Sequence, residues 1–173
     1  MTQEEFIKVL DREGYSYEIE GDKLVVTVTY KGERENVNLQ YITSLPPGVV
    51  FKNGRDVYLS ALTSLPPGVE FKNGGGVDLQ DLTSLPPDVE FRNGWDVVLS
   101  TLTSIPPGVV FRNGWDVVLS TLTSIPPGVV FNNKGDVYLE SLVGGWFEDW
   151  QGNIKGIDSK RLLNVMIKQG VFI

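Results

Sequence analysis

"FRNGWDVVLSTLTSIPPGVV" occupies residues 91–110, and the same twenty residues occupy 111–130 without a change. A catalytic pocket draws different residues from distant parts of a chain, whereas a copied segment supplies the same residues twice. The period continues outward from this pair in both directions. Begun at its V-x-L triplet, the chain reads "VNLQYITSLPPGVVFKNGRD" from residue 37, "VYLSALTSLPPGVEFKNGGG" from 57 and "VDLQDLTSLPPDVEFRNGWD" from 77. "VVLSTLTSIPPGVVFRNGWD" follows from 97, "VVLSTLTSIPPGVVFNNKGD" from 117 and the incomplete "VYLESLVGG" from 137. One such unit cannot bury its own apolar face, so like must cover like in a stack.

Val57, Leu59, Leu62, Leu65, Val69 and Phe71 have apolar equivalents in every full coil at intervals of twenty, identical but for isoleucine at 42, 105 and 125. V-x-L and V-x-F each have the period of two that marks a strand with one buried face, so each coil offers two short extended segments. L-T-S-L-P-P-G turns one corner: consecutive prolines forbid a helix, and the glycine takes an unusual backbone angle. Asn-Gly closes the other corner. Coils stacked at strand spacing would rise about 4.7–4.9 Å each. That spacing would stack Phe on Phe and set Asn53, Asn73, Asn93, Asn113 and Asn133 in an amide ladder, with hydroxyl ladders from Thr63, Thr83, Thr103 and Thr123.

"LTSLPPGV" and "LTSIPPGV" resemble the short leucine-rich repeats of bacterial proteins, which share the length of about twenty residues and the L-x-x-L-P signature. The resemblance covers residues 37–143. It implies a solenoid whose strands line one face and which binds other proteins. Leu62, Leu82, Leu102 and Leu122 stand where that family's pattern has Asn or Cys, and V-x-F is more strand-like than its convex side. The expectation is therefore a mainly β, leucine-rich-repeat-like β-solenoid over 37–143, with a cap at each end.

Residues 1–36 read as the N-terminal cap. Thr2 and Glu5 fit a capping box, Phe6, Val9 and Leu10 share a helical face, and Gly14 stops the helix. "YSYEIE", a turn at Gly21-Asp22 and "KLVVTVTY" read as a β-hairpin. Residues 144–173 read as the C-terminal cap. Trp146, Phe147 and Trp150 would form a lid on the last coil, and a helix is expected over about 158–169, with Asp158 or Ser159 as N-cap and Gly170 as stop.

Composition removes more chemistry than any motif suggests. Cysteine and histidine are both absent, so no Ser-His-Asp or Cys-His arrangement, thiolate nucleophile or disulfide can be built, and zinc loses its usual ligands. The net charge of −7 is spread out, and no segment is basic enough to track phosphates, which argues against nucleic acid. No apolar run is long enough to span a membrane, and "MTQEEFIKVLDREG" lacks a signal-peptide core. A cytoplasmic setting is expected.

Carboxylates are then the remaining acid–base groups. Asp78 and Asp81 share a coil, and Glu70 and Glu90 share a slot in neighbouring coils, where like charges would raise each other's proton affinity. Lys72 and Arg92, two residues further on, offer neutralisation instead. "NGGGVD" at 73–78 lacks the Lys and Ser/Thr of a phosphate loop. Asp96, Asp116 and Asp136 faintly suggest calcium-binding β-roll repeats, but a period of twenty favours Asx acceptors of turn amides. The T-x-T pairs at Thr101-Thr103 and Thr121-Thr123 are too few for an ice-binding array. These residues give no catalytic group, no cofactor and no metal.

The positions that vary between coils are free of the stack. The middle of V-x-L is Asn38, Tyr58, Asp78, Val98, Val118 and Tyr138; the middle of V-x-F is Val50, Glu70, Glu90, Val110 and Val130. The residue after Asn-Gly is Arg55, Gly75, Trp95 and Trp115, with Gly135 in the same slot. Val98, Val118 and Tyr138 should form an outward apolar stripe edged by Trp95 and Trp115, with Val110 and Val130 as a second stripe. Such patches are contact surfaces or dimer seams, or simply reflect β propensity. The sequence thus favours a non-enzymatic module binding a protein partner or its own copy through Tyr58, Trp95, Val98, Trp115, Val118 and Tyr138. Glycan or surface binding on the tryptophans is the alternative, and a carboxylate hydrolase comes last.

Overall fold

The computed structural model describes residues 1–27, 36–126, 128–139 and 141. Helix α1 spans Gln3–Glu13, and a hairpin follows from β1 (Tyr17–Glu20) and β2 (Lys23–Val26). The V-x-L triplets give β3 (Val37–Asn38), β5 (Val57–Tyr58), β7 (Val77–Asp78), β9 (Val97–Val98), β11 (Val117–Val118) and β13 (Val137–Tyr138). The V-x-F triplets give β4 (Val49–Phe51), β6 (Glu70–Phe71), β8 (Glu90–Phe91), β10 (Val110–Phe111) and β12 (Val130–Phe131). The chain is thus a β-solenoid with two strands in each full coil. The strands form two sheets, ordered β1-β2-β4-β6-β8-β10-β12 and β3-β5-β7-β9-β11-β13.

Every strand pair between coils is parallel and in register at a separation of twenty residues, as Val97↔Val117 and Phe111↔Phe131 show. Repetition makes this register unambiguous, because a slip of one residue would turn each apolar set outward. The core is a set of columns running along the stack. Val97, Leu99, Leu102 and Phe91 are fully buried, as are their equivalents in neighbouring coils. The phenylalanine rings from Phe51 to Phe131 are nearly parallel, with centroids 5.5, 5.6, 5.2 and 5.0 Å apart. Each buried ring contributes about 1.5–3 kcal/mol of transfer free energy.

One corner follows β5 directly. The Leu62 N–H donates to the Leu59 carbonyl at 2.9 Å, a tight turn that sends both leucines inward, and the other full coils repeat it. The P-P-G segment then redirects the chain through Gly48, Gly68, Gly108 and Gly128, all with φ between 74° and 86°. Asp88 holds the same slot at φ 59°, a left-handed conformation that costs a side chain energy and that Asp tolerates better than most.

The Asn-Gly corner turns for a different reason than the usual left-handed hairpin. Its glycines have ordinary φ, but a Cβ on Gly94 would fall 2.1 Å from the Gly74 carbonyl oxygen. Only glycine lets the coils approach so closely, and the Gly74, Gly94 and Gly114 N–H groups each donate to the Asn carbonyl one coil back (Gly94 to Asn73, 2.8 Å). The asparagines are buried, but they do not form the expected amide-to-amide ladder. The Asn93 side-chain NH₂ donates to Trp95 O at 3.0 Å and Asp96 O at 2.9 Å in its own turn, and to Gly75 O at 3.2 Å in the preceding coil. Main-chain carbonyls at a tight buried turn need donors more than a neighbouring amide does. At residue 134 lysine replaces glycine, and no bond to Asn113 corresponding to the others forms. Hydroxyls behave similarly: Thr83 and Thr123 donate to the carbonyls of Thr63 and Thr103, both at 3.1 Å.

The N-terminal cap covers the first coil in two ways. β2 pairs in parallel with β4 and so extends one sheet, while β1 adds an antiparallel outer strand carrying Glu18 and Glu20. Acidic side chains on such an edge discourage further strand addition. The other sheet is closed by a side chain: the Tyr15 hydroxyl accepts from the Asn38 N–H at 2.7 Å. Helix α1 has the expected capping box and a left-handed stop at Gly14, and it buries Phe6 and Leu10 against the core. Tyr41 ties the helix down through Arg12 and Glu13, each at 2.8 Å. The expected C-terminal cap, with Trp146, Phe147, Trp150 and the 158–169 helix, lies outside the described residues, as do residues 28–30 of the second hairpin strand.

Replacing Asn93 by Ala removes the two N–H donors that serve three corner carbonyls, so it should lower the unfolding free energy by about 2–4 kcal/mol. Urea denaturation measures this; an unchanged midpoint would mean that the corner carbonyls are served in another way.

Candidate binding face

The V-x-L sheet presents the middle residues of its triplets to the outside in one line. The register pairs Tyr58 with Asp78, Asp78 with Val98, Val98 with Val118 and Val118 with Tyr138. Val98, Val118 and Tyr138 are therefore contiguous, as expected, while Asp78 separates Tyr58 from Val98. Val98 and Val118 are half-buried by their neighbours. Trp95 and Trp115 stand free at the margin, 63% and 58% exposed, beside Tyr138 at 40%. On the other sheet Val110 and Val130 pair directly and are half-buried, whereas Val50, expected to be outward and free, is buried.

Tyr58, Trp95 and Val98 meet in a groove of about 360 Å³, whose remaining lining includes Gly76, Asp56, Asp78 and Asp96. A second notch of about 370 Å³ adjoins it between Arg55 and Trp95, floored by Gly54, Gly74 and Gly75. Both lie at the second Asn-Gly corner, which reads "NGGG" where its neighbours carry Arg or Trp and then Asp. The sequence marks this stretch only by its glycines, which rule out a phosphate loop but do not by themselves announce a groove.

The aspartates of this corner link coils. Asp96 Oδ1 accepts the Asp116 N–H at 3.0 Å, and Asp116 Oδ1 accepts the Asp136 N–H at 2.7 Å. Asp56 Oδ1 accepts the Gly76 N–H at 2.7 Å, and Asn36 Oδ1 does the same for Asp56 at 3.1 Å. The Asx-acceptor reading of these residues is thus realised between coils, and Gly76 is the one break in the line. The Asp56 Oδ2 accepts the Tyr58 hydroxyl at 3.1 Å. Partial burial, and then the Asp56 carboxylate, push the Tyr58 phenol above its ordinary value. The T-x-T hydroxyls are engaged too: Thr101 donates to Gln80 O at 2.7 Å and Thr121 to Ser100 O at 2.8 Å.

The glutamates of the opposite sheet are neutralised. Glu70 is held by Lys23 and Lys72, and Glu90 by Arg92 and Arg112 at 2.6 and 2.8 Å. Lys72 and Arg92 were legible from their spacing; Lys23, which lies in the cap, and Arg112, which lies one coil on, were not. Mutual elevation of proton affinity does not occur at Glu70. Hydrogen bonds from Lys23 and then Lys72 hold its carboxyl below the ordinary value. The strand pairing here includes Phe71 with Phe91 but not Glu70 with Glu90, the step at which like charges would sit side by side. Among the described residues no group of three or more Asp or Glu could hold a metal ion.

Comparison with protein-family models, curated proteins and solved structures finds no significant match.

Glu70→Gln leaves two cations facing a neutral amide and should cost about 1 kcal/mol at pH 7, as partly exposed pairs do. A carboxyl with a lowered folded value contributes stability above the unfolded value near 4.5, and that contribution is lost as pH falls through the folded value. The gap between native and variant chains should therefore close as urea titrations move from pH 7 to below pH 4. A gap that stayed constant would place the effect in packing.

Proposed function

We propose that this chain is a non-enzymatic protein-interaction module that binds a protein partner, or its own copy, through the outward V-x-L face. The observation that carries the reading is the contiguity of Val98, Val118 and Tyr138 on adjacent parallel strands, with Trp95 and Trp115 exposed at 63% and 58% beside them. Rigid aromatic side chains around an apolar stripe supply contact area at low entropic cost, the usual basis of an interface hot spot. Tyr58 extends the face across Asp78. The neutralised Glu70 and the absence of His and Cys from the chain support binding over acid–base chemistry.

Kinship with the short bacterial leucine-rich repeats belongs to the same proposal and rests on the recurrent L-T-S-L-P-P motif. So does a cytoplasmic setting, which the lack of cysteine suits; no described helix is long and apolar enough to cross a membrane. Glycan or surface binding is the second reading, favoured by the exposure of both tryptophans at the rim. Polysaccharide titration followed by tryptophan fluorescence addresses it.

The triple variant V98K/V118K/Y138K tests the main reading. These slots already accept Asn, Tyr and Asp in other coils, so circular dichroism should stay unchanged. Self-association in sedimentation equilibrium, or capture of a partner from host lysate, should fall at least about tenfold, since each lysine desolvates at the centre of the patch. Association at the native level would remove the stripe as the interface.

A further inference from the structure

The two sheets of the solenoid differ in how they treat charge. On the V-x-F sheet each outward glutamate is paired with two cations. On the V-x-L side Asp56, Asp78, Asp96 and Asp116 form no ion pair among the described residues, and Arg55 is the one cation among the residues lining the groove and its adjoining notch. Arg55 sits across the notch from Trp95, separated from it by Gly75 in the column of turn residues.

Within the groove, Asp78 uses Oδ1 to accept the Gln80 N–H at 3.1 Å, and Asp96 uses Oδ1 for the Asp116 N–H. Among the described residues the second oxygen of each carboxylate accepts no hydrogen bond. The exposed Trp95 indole forms one wall and Tyr58 lies along the same lining. Aromatic faces beside unneutralised carboxylates are what a cationic side chain needs: the rings attract the charge, the alkyl stem packs on them, and the carboxylates accept its protons.

We propose that the groove between Tyr58 and Trp95 is a receptor for a lysine or arginine side chain presented by a partner protein, with Asp78 and Asp96 as its anionic acceptors. This rests on the reading of the V-x-L face as an interface and gives the partner a chemistry. Gly76 is what makes room: a side chain there would occupy the space that Asp56 or Asp96 fills in its own coil, and a Cβ would meet nothing nearer than 3.4 Å, whereas a Cβ on Gly75 would fall 2.3 Å from Asp56 Oδ1.

Two variants leave the fold in place. D78N/D96N removes both charges yet keeps the Oδ1 acceptors, as Asn36 does naturally for Asp56. Gly76→Asn narrows the groove floor; a Cβ there lies 3.4 Å from the nearest atom, Asp96 O, and the new amide oxygen can accept the Asp96 N–H. Native chain labelled with ¹⁵N is titrated with hexalysine, hexaarginine and hexaglutamate, following the Trp95 indole resonance assigned with W95F. The cationic peptides should produce a saturable shift and hexaglutamate none. D78N/D96N and G76N should each weaken hexalysine binding at least about fivefold, while E4Q/E18Q, the same charge change on the cap, should alter it less than about twofold.

A non-saturable shift, or an equal loss in E4Q/E18Q, overturns the cation site. Failure here and failure of the interface can be told apart. Loss of association in V98K/V118K/Y138K without saturable hexalysine binding to the native chain overturns the cation site and leaves the interface. Saturable hexalysine binding that depends on Asp78 and Asp96, with association unchanged in the triple-lysine variant, supports the groove and overturns the stripe.

Discussion

The rest of the structure depends on a buried asparagine side chain that joins each coil to the one before it. At the Asn-Gly corner the main chain turns around a buried asparagine, and its carbonyls are partly withdrawn from water. The amide of Asn93 gives protons to two carbonyls of its own turn and approaches one of the preceding coil, and Asn73 and Asn113 do the same. With those groups served, the coils close to the distance at which glycine alone fits, and the valine, leucine and phenylalanine columns come into contact. Burial supplies the bulk of the stabilisation; the asparagine fixes where it happens.

This division explains how the outer residues can vary. A coil obeys the stack with its inward residues and its corner, and everything between is available for a surface. The V-x-F sheet uses that freedom for ion pairs that balance one another, and the V-x-L sheet uses it for valine, tyrosine, tryptophan and aspartates that bond to amides and hydroxyls. Copying a coil lengthens the second surface without any new folding problem, because its neighbour already satisfies every requirement of the copy.

The solenoid was legible because its physics repeats. Val97 and Leu99 alternate with half-buried residues in a pattern that six copies confirm, and the capping box at Thr2 and Glu5 is a local signal read within four residues. What repetition does not encode was missed. Lys23 reaches Glu70 from the cap, a contact no period predicts, and Tyr15 closes a sheet edge with a hydroxyl instead of a strand. The groove at Gly76 is defined by missing atoms, so its lining carboxylate Asp96 read as a turn acceptor alone and Asp56 drew no reading. The Asn-Gly pair announced a turn correctly but for the wrong reason, since its glycine answers to the neighbouring coil and not to its own φ.

The central claim is that a coil of twenty residues is an interchangeable stacking unit. Deleting residues 91–110 tests it most directly, because the identical 111–130 can take their place with every apolar column kept and one of the two Glu90 ion pairs lost. The shortened chain should keep the native circular dichroism spectrum and unfold in one cooperative transition, whereas deleting 91–109 should destroy the register and the transition with it. Equal behaviour of the two deletions, whether both fold or both fail, would contradict the account.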